Sequence, residues 1–450
     1  MTRVIIVRHG QSSYNTERRI QGRTDISILT DKGCEDASQA GKALSNILFS
    51  AIYSSPLQRA KKTAEIIYSE LITNSTQSVS PQVSHHLMEI DLPLWAEMLS
   101  AEVKDKFSED YQIWKERPHE LRMLVKDGQG TREHFPVLAI YEQARLFWQE
   151  ILPLHQGQTI LIVAHNGINR ALISTALGIP PSRYHCLQQS NCGISVLNFT
   201  GGLGEPVQLE SMNQTQHLGD TLPSLRPNHQ GVRLLLVRHG ETEWNRQTRF
   251  QGQIDIPLND NGRKQAQTAG EFLRKVPIDF AVSSSMQRPK ETAELILAHH
   301  PQVNLQLQQG LKEISHGLWE GKLETEIEQE FPGELQRWRL TPAEVQMPEG
   351  ENLQQVWERS VTTWQLIVQQ ALTNQLKTGL IVAHDATNKT LLCHILGLPT
   401  TNFWNFRQGN GAVSVIDYPS GLNGLPVVQA MNITSHLSGG VLDKTAAGAL

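Results

Sequence analysis

Residues 4–10 read VIIVRHG and residues 234–240 read LLLVRHG, and the repetition continues along the chain. Asn15 recurs as Asn245, Gln21-Gly22 as Gln251-Gly252 and Asp25-Ile26 as Asp255-Ile256, all at an offset of 230. YSSPLQRAKKTAEII (53–67) returns as VSSSMQRPKETAELI (282–296), and LMEIDLPLWAE (87–97) as LKEISHGLWEG (311–321). LIVAHNGINRAL (161–172) returns as LIVAHDATNKTL (380–391), and His217-Leu218 as His436-Leu437. The offset drifts only from 230 to 219, so the order survives with small loop insertions. Such a period is far too long for a solenoid repeat and implies a tandem fusion of two complete domains. We expect domain 1 over residues 1–220, a proline-containing linker over 221–231, domain 2 over 232–440 and a loose tail of small residues over 441–450.

At 450 residues, either half can bury a core without disulfides or metals. A net charge of −5 argues against a general nucleic-acid or membrane-surface binder. Cys34, Cys186, Cys192 and Cys393 are scattered and form no C-x-x-C, which suits a reducing compartment. Val4–Val7 is too short for a signal segment, and no stretch approaches the roughly 18 apolar residues of a membrane span. The cytoplasm is the expected location.

VIIV, LLLV, ILIVA and GLIVA are short apolar runs, as expected of parallel strands buried on both faces. Helical segments are predicted at Lys32–Leu48, Pro56–Leu71 and Leu138–Leu152, with counterparts in the second copy. Strand-like runs at 193–199 and 205–210, repeated at 411–417 and 425–430, close each copy. The expected fold class is α/β: two tandem three-layer domains, each a mostly parallel sheet with helices on both faces.

In each copy a buried strand ends in Arg-His-Gly, at the carboxyl end where such sheets place their ligands. Arg8-His9 and Arg238-His239 stand there, and Gly10 and Gly240 let the chain turn sharply and come close to a ligand. His165 and His384 follow ILIVA and GLIVA, so they end a second strand and can converge on the first pair. Arg59 and Arg288 are expected one turn into a helix that starts on a serine cap, with Pro56 at its first position in copy one. A helix N-terminus and arginine forks suit a tetrahedral dianion. The chain has no H-E-x-x-H and no aspartate cluster, so no metal or other cofactor is expected. His85-His86 and His299-His300 lack ligand spacing and read as surface residues, while His217 and His436 read as closing a fold edge.

Arg-His-Gly, the S-x-x-x-R helix start, a Glu before a Trp and a second His after an apolar strand together resemble the histidine phosphatase superfamily, also called phosphoglycerate-mutase-like. The resemblance covers nearly the whole chain. It implies that His9 or His239 attacks phosphorus and becomes phosphohistidine. Arg8, Arg59 and His165, or Arg238, Arg288 and His384, would neutralise the phosphoryl oxygens, with Asn15 and Asn245 as further donors. Glu89 or Glu313 would protonate the leaving alcohol and then accept a proton from water, a role aided by burial near Trp95 or Trp319. The implied partner is a small phosphorylated metabolite such as a sugar-acid phosphate, 2-carboxyarabinitol 1-phosphate among them; neither nucleic acid nor membrane is implied. Only 76 residues (165 − 89) or 71 (384 − 313) separate the acid–base Glu from the second His. The resemblance implies a longer insertion there in the mutases of the family, so the compact spacing favours hydrolysis over the alternative, a phosphoglycerate mutase.

The copies differ in their loops. The second has HGLWEG (316–321) and PEGEN (348–352), whereas the first has Pro93 and Glu97 at the glycine positions and REHFP (132–136) in place of PEGEN. The loop around Glu89 is therefore expected to take a different shape. A further alternative is that one half binds phosphorylated ligands without turnover and regulates the other. Asp385 stands where the first copy has Asn166, and an aspartate beside a phosphate pocket is unfavourable unless it points away. On its loops, the second copy is expected to be the stronger catalyst.

Overall fold

The computed structural model describes residues 1–74, 79–128, 130–226 and 229–442. The chain divides into two compact units, Met1–Pro223 and Ser224–Leu450. Residues 227–228 of the expected linker and 443–450 of the expected tail lie outside the described residues.

In unit 1 the strands are β1 (Thr2–Arg8), β2 (Ala51–Ser54), β3 (Pro81–Val83), β4 (Met123–Asp127), β5 (Gly130–His134), β6 (Thr159–Ala164), β7 (Ile194–Phe199) and β8 (Val207–Gln214). The main helices are α1 (Asp31–Leu44), α2 (Gln58–Asn74), α3 (Pro136–Ile151) and α4 (Asn166–Leu177). The sheet runs β8-β7-β1-β6-β2-β3. β1, β6, β2 and β3 are parallel, and β7 and β8 add an antiparallel edge. Val4–Val7 and Ile160–Ala164 are wholly buried, as continuous apolar runs in a sheet covered on both faces must be.

Unit 2 repeats the plan with β9 (Arg233–Arg238), β10 (Phe280–Ser284), β11 (Leu305–Gln308), β12 (Thr378–Ala383), β13 (Val413–Asp417) and β14 (Val427–Ile433). Its sheet order is β14-β13-β9-β12-β10-β11. The matching helices are α5 (Asp260–Leu273), α6 (Gln287–Leu297), α7 (Leu353–Thr373) and α8 (Asp385–Leu396). Among the described residues no helix is long and apolar enough to cross a membrane.

Two local expectations are corrected. The helices bearing Arg59 and Arg288 begin at Gln58 and Gln287, not at the serines. Their N-termini are met by carboxylates from another loop: Gln58 N donates to Asp25 Oδ1 (2.7 Å) and Gln287 N to Asp255 Oδ1 (2.8 Å). A carboxylate at a helix start satisfies an orphan N–H and complements the helix dipole. His300 is also not a surface residue; it is buried after α6, while His85 and His299 are exposed.

The loop difference has a steric cause. In unit 2 Gly317 has φ +54° and a Cβ there would stand 1.9 Å from Pro348 O, so the PEGEN loop can lie over it only if the residue is glycine. In unit 1 the β4–β5 hairpin leads to α3 in place of that loop, and Pro93 stands at the glycine position. His134 Nε2 lies 3.0 Å from Asp91 O, whereas in unit 2 Glu351 N donates to the equivalent Ser315 O (2.8 Å). The expected change of shape does not extend to Glu97, which keeps the left-handed conformation of its counterpart Gly321 (φ +68° against +81°).

Candidate active site

β1 and β6 are in register through Arg8 and Ala164, so His9 and His165 leave adjacent strand ends together. β9 and β12 do the same for His239 and His384. The rings of each pair meet edge-on with centroids 5.1 Å apart. His9 Nδ1 lies 2.7 Å from Gly10 O, and His239 Nδ1 2.7 Å from Gly240 O. A carbonyl only accepts, so Nδ1 carries the proton and Nε2 keeps its lone pair. Burial, followed by the neighbouring arginines, holds both rings well below the usual histidine range, so each is a neutral imidazole near neutrality.

His165 and His384 begin α4 and α8, with Nε2 2.8 and 2.9 Å from Ser55 Oγ and Ser284 Oγ. Burial, then arginine, keeps them neutral as well. Arg59 donates through Nη1 and Nη2 to Thr24 O and Gly22 O (2.9 and 3.0 Å), which leaves Nε without a partner. Arg288 is held alike by Ile254 O and Gly252 O, and its Nε donates to His239 Nε2 at 3.2 Å. Arg8 is tethered by Nη1 to Gln189 O (2.8 Å) and Arg238 to Gln408 O (2.7 Å). Burial lowers Arg8 and Arg288 to about 10, and both remain cations near neutral pH.

The side-chain carbonyls of Asn15 and Asn245 are occupied as acceptors by Ser12 and Asn191 in one unit and Thr242 and Asn410 in the other, which leaves the donor side of each amide. Gly10 makes room for main chain: a Cβ there would stand 2.2 Å from Gly33 O.

Glu89 accepts from Ile90 N (2.8 Å), Gly167 N (3.1 Å) and Ile168 N (3.2 Å), so its carboxyl group lies at the N-terminus of α4. Glu313 accepts from Ile314 N, Ala386 N and Thr387 N at 3.0, 3.3 and 3.3 Å. A Cβ on Gly167 would stand 2.3 Å from Glu89 Oε1, and unit 2 has Ala386 in that place with longer bonds to its glutamate. Trp319 packs against Phe250 and Phe331 in the core, and the raised pKa of Glu313 comes first from burial and then from Asp385.

Asp385 does not point away from the pocket. It is buried, with its carboxylate 3.2 Å from Arg238 Nη1 and 2.6 Å from Lys389 Nζ. Lys389 lies over the rings of Trp404 and Phe403, at 4.6 and 5.0 Å. Its positive charge offsets the desolvation that made the aspartate unfavourable in isolation.

A model of the histidine phosphatase superfamily (branch 1) matches this chain twice, over residues 4–213 and 234–433. The chain belongs to the histidine phosphatase superfamily. It is a phosphatase, and 31% identical over 97% of its length, and 86% of the relative's, to the 2-carboxy-D-arabinitol-1-phosphatase of Triticum aestivum. It is 34% identical to phosphoserine phosphatase 1 of Hydrogenobacter thermophilus, over 46% of this chain and 94% of that protein. The solved structure of Bacillus stearothermophilus YhfR, 30% identical, aligns over 46% of this chain and 100% of its own with a TM-score of 0.43.

Several supporting residues of this histidine phosphatase went unread in the sequence. Thr63 and Thr292 accept from Gly10 N and Gly240 N, and Asn191 and Asn410 donate to His9 O and His239 O. Their signal was available, since each recurs at the offset of its neighbours. His217 and His436 bind the Cys192 and Gly411 carbonyls beside these asparagines, at 3.0 Å each.

Proposed function

We propose that each unit hydrolyses a phosphomonoester through a phosphohistidine, without a metal ion. The observation that carries this reading is the duplicated neutral histidine, its Nδ1 fixed on a carbonyl and its Nε2 among arginines. His9 or His239 Nε2 attacks phosphorus, the phosphorus–oxygen bond to the alcohol breaks, and Glu89 or Glu313 gives the alkoxide its proton. The same glutamate then takes a proton from water, whose oxygen attacks phosphorus as the phosphorus–nitrogen bond breaks. Arg8, Arg59 and His165, or Arg238, Arg288 and His384, stabilise the shifting phosphoryl charge, with Asn15 or Asn245 as added donors. Among the described residues no group of three or more His, Cys, Asp or Glu side chains is placed to hold a metal ion, and the arginines supply the charge that a metal would.

The substrate we assign is a small phosphorylated metabolite, with a sugar-acid phosphate such as 2-carboxy-D-arabinitol 1-phosphate first. The support is the wheat phosphatase, to which the chain is similar over both units. Cys34, Cys186, Cys192 and Cys393 form no disulfide among the described residues, which suits the cytoplasm. The test is a phosphomonoester panel with EDTA present, run on the full chain, His9→Ala and His239→Ala. Phosphate release in EDTA, with a trapped phosphohistidine on each intact histidine, is expected. Loss of turnover in EDTA would sink the mechanism, and conversion of 3- to 2-phosphoglycerate without phosphate release would mark a mutase. The replaced loop of unit 1 favours one second reading, a non-catalytic ligand-binding unit, and label on His9 would exclude it.

A further inference from the structure

The main-chain carbonyl of the acid–base glutamate is hydrogen-bonded in both units, but by arginines from different elements. In unit 2, Arg359 on α7 donates through Nη1 to Gly310 O (3.0 Å) and Lys312 O (2.6 Å), and through Nη2 to Glu313 O (2.9 Å). Gln253 Nε2 adds a second bond to Glu313 O (3.0 Å). Unit 1 has Gln143 on α3 in the place of Arg359, each five residues before a buried tryptophan, Trp148 or Trp364. Gln143 Nε2 reaches His86 O (2.9 Å) and Met88 O (2.7 Å), the equivalents of the first two carbonyls, and stops one short. The third, Glu89 O, accepts from Arg23 Nε (3.2 Å), and Arg23 Nη2 donates to Gln143 Oε1 (2.8 Å). Arg23 occupies the place of Gln253 in the Q-G-x-x-D loop.

Arginine and glutamine have thus changed places between the two positions. The carboxylate counter-charge of unit 2 has no equivalent in unit 1. Arg359 forms a two-point pair with Glu351 (2.7 and 2.8 Å), whereas unit 1 has Phe135 there and Arg23 is exposed, where water stabilises its charge.

We propose that Arg23 and Arg359 are positioning residues, each fixing the acid–base glutamate of its own unit through that carbonyl, and that the two arrangements are interchangeable. The inference rests on the acid–base reading of Glu89 and Glu313. The physical link is short. The peptide that carries the Glu89 carbonyl also carries Ile90 N, which donates to the Glu89 carboxylate. A carbonyl held in place fixes that peptide and hence the carboxyl group above it.

The test isolates unit 1 with His239→Ala. In that background Arg23→Gln is expected to lower kcat by roughly ten- to a hundredfold, the cost of a small misplacement of a reacting group, with KM within about twofold and an unchanged melting curve. Adding Gln143→Arg should restore most of kcat, because it recreates the arrangement of unit 2. An Arg23→Gln variant with parental kcat, or a double variant that melts normally and stays slow, overturns the proposal. Glu89→Gln in the same background separates the two levels: full turnover there means the acid–base reading itself has failed. Should Arg23→Gln not fold, Arg359→Gln with and without Gln253→Arg, in His9→Ala, supplies the same readout.

Discussion

A carboxylate beside a phosphate site works against binding, and Asp385 is such a carboxylate, in contact with Arg238. It also raises Glu313, after burial, which keeps the proton that the leaving alcohol needs. Turnover that requires protonated Glu313 is present below the pKa of that group and is lost as pH rises through it. Asp385→Asn, read in a His9→Ala background, should therefore move the alkaline limb of kcat to lower pH. It should also lower KM, by about tenfold if some 1.4 kcal/mol of repulsion is relieved. An alkaline limb that stays in place would remove Asp385 from the proton-donor argument. His316 offers a stability test. It is wholly buried beside Phe250 and Trp338, and burial pushes it down to about 3. A histidine whose folded pKa is depressed makes the folded state lose stability as pH falls below its unfolded value near 6.5. At pH 5 that loss is about 2 kcal/mol. His316→Leu, the residue unit 1 has there as Leu92, should recover it at pH 5 and much less at pH 7.5 in thermal unfolding. An equal shift at both pH values would mean that packing, not protonation, decides.

At the level of strands, helices and loops, legibility followed whether a pattern was local. VIIV and ILIVA announced buried strands because a strand covered on both faces must be apolar throughout, and the histidines at their ends came with them. The starts of α2 and α6 were misplaced because the capping carboxylates, Asp25 and Asp255, arrive from a loop more than thirty residues away. The β4–β5 hairpin was unreadable, since its segment shares no residue pattern with the PEGEN loop that stands in its place in the other copy. The Arg23–Arg359 exchange was hidden for the opposite reason: each arginine, aligned with its own counterpart, meets a glutamine. The Gly317 turn is where the element-level argument can be checked. Gly317→Ala places a Cβ on the Pro348 carbonyl and an L side chain at φ +54°. It should cost unit 2 roughly 1–3 kcal/mol and displace the PEGEN loop. Differential hydrogen exchange over residues 345–355 would show this, and unchanged protection there would mean that the loop does not depend on the glycine.

At the scale of the whole molecule, two sites of one descent differ in charge rather than in plan. Unit 1 sets Arg8, Arg59 and Arg170 on α4, the counterpart of Lys389, against Glu89; unit 2 sets Arg238, Arg288 and Lys389 against Glu313 and Asp385. The richer positive charge of unit 1 favours binding of a phosphate dianion. The raised acid of unit 2 favours departure of the alcohol. Loop glycines alone rank unit 2 as the better catalyst, but the charges separate affinity from turnover. On a substrate taken by both sites at neutral pH, His9→Ala, which leaves unit 2, should show the higher kcat and the higher KM. His239→Ala, which leaves unit 1, should show the lower kcat and the lower KM. If the sites work independently, the two variant rates should add to that of the full chain at every substrate concentration, and its saturation curve should need two KM values. A full chain that obeys one KM, or variants whose KM values fall in the opposite order, would show that Asp385 does not govern phosphate binding in unit 2.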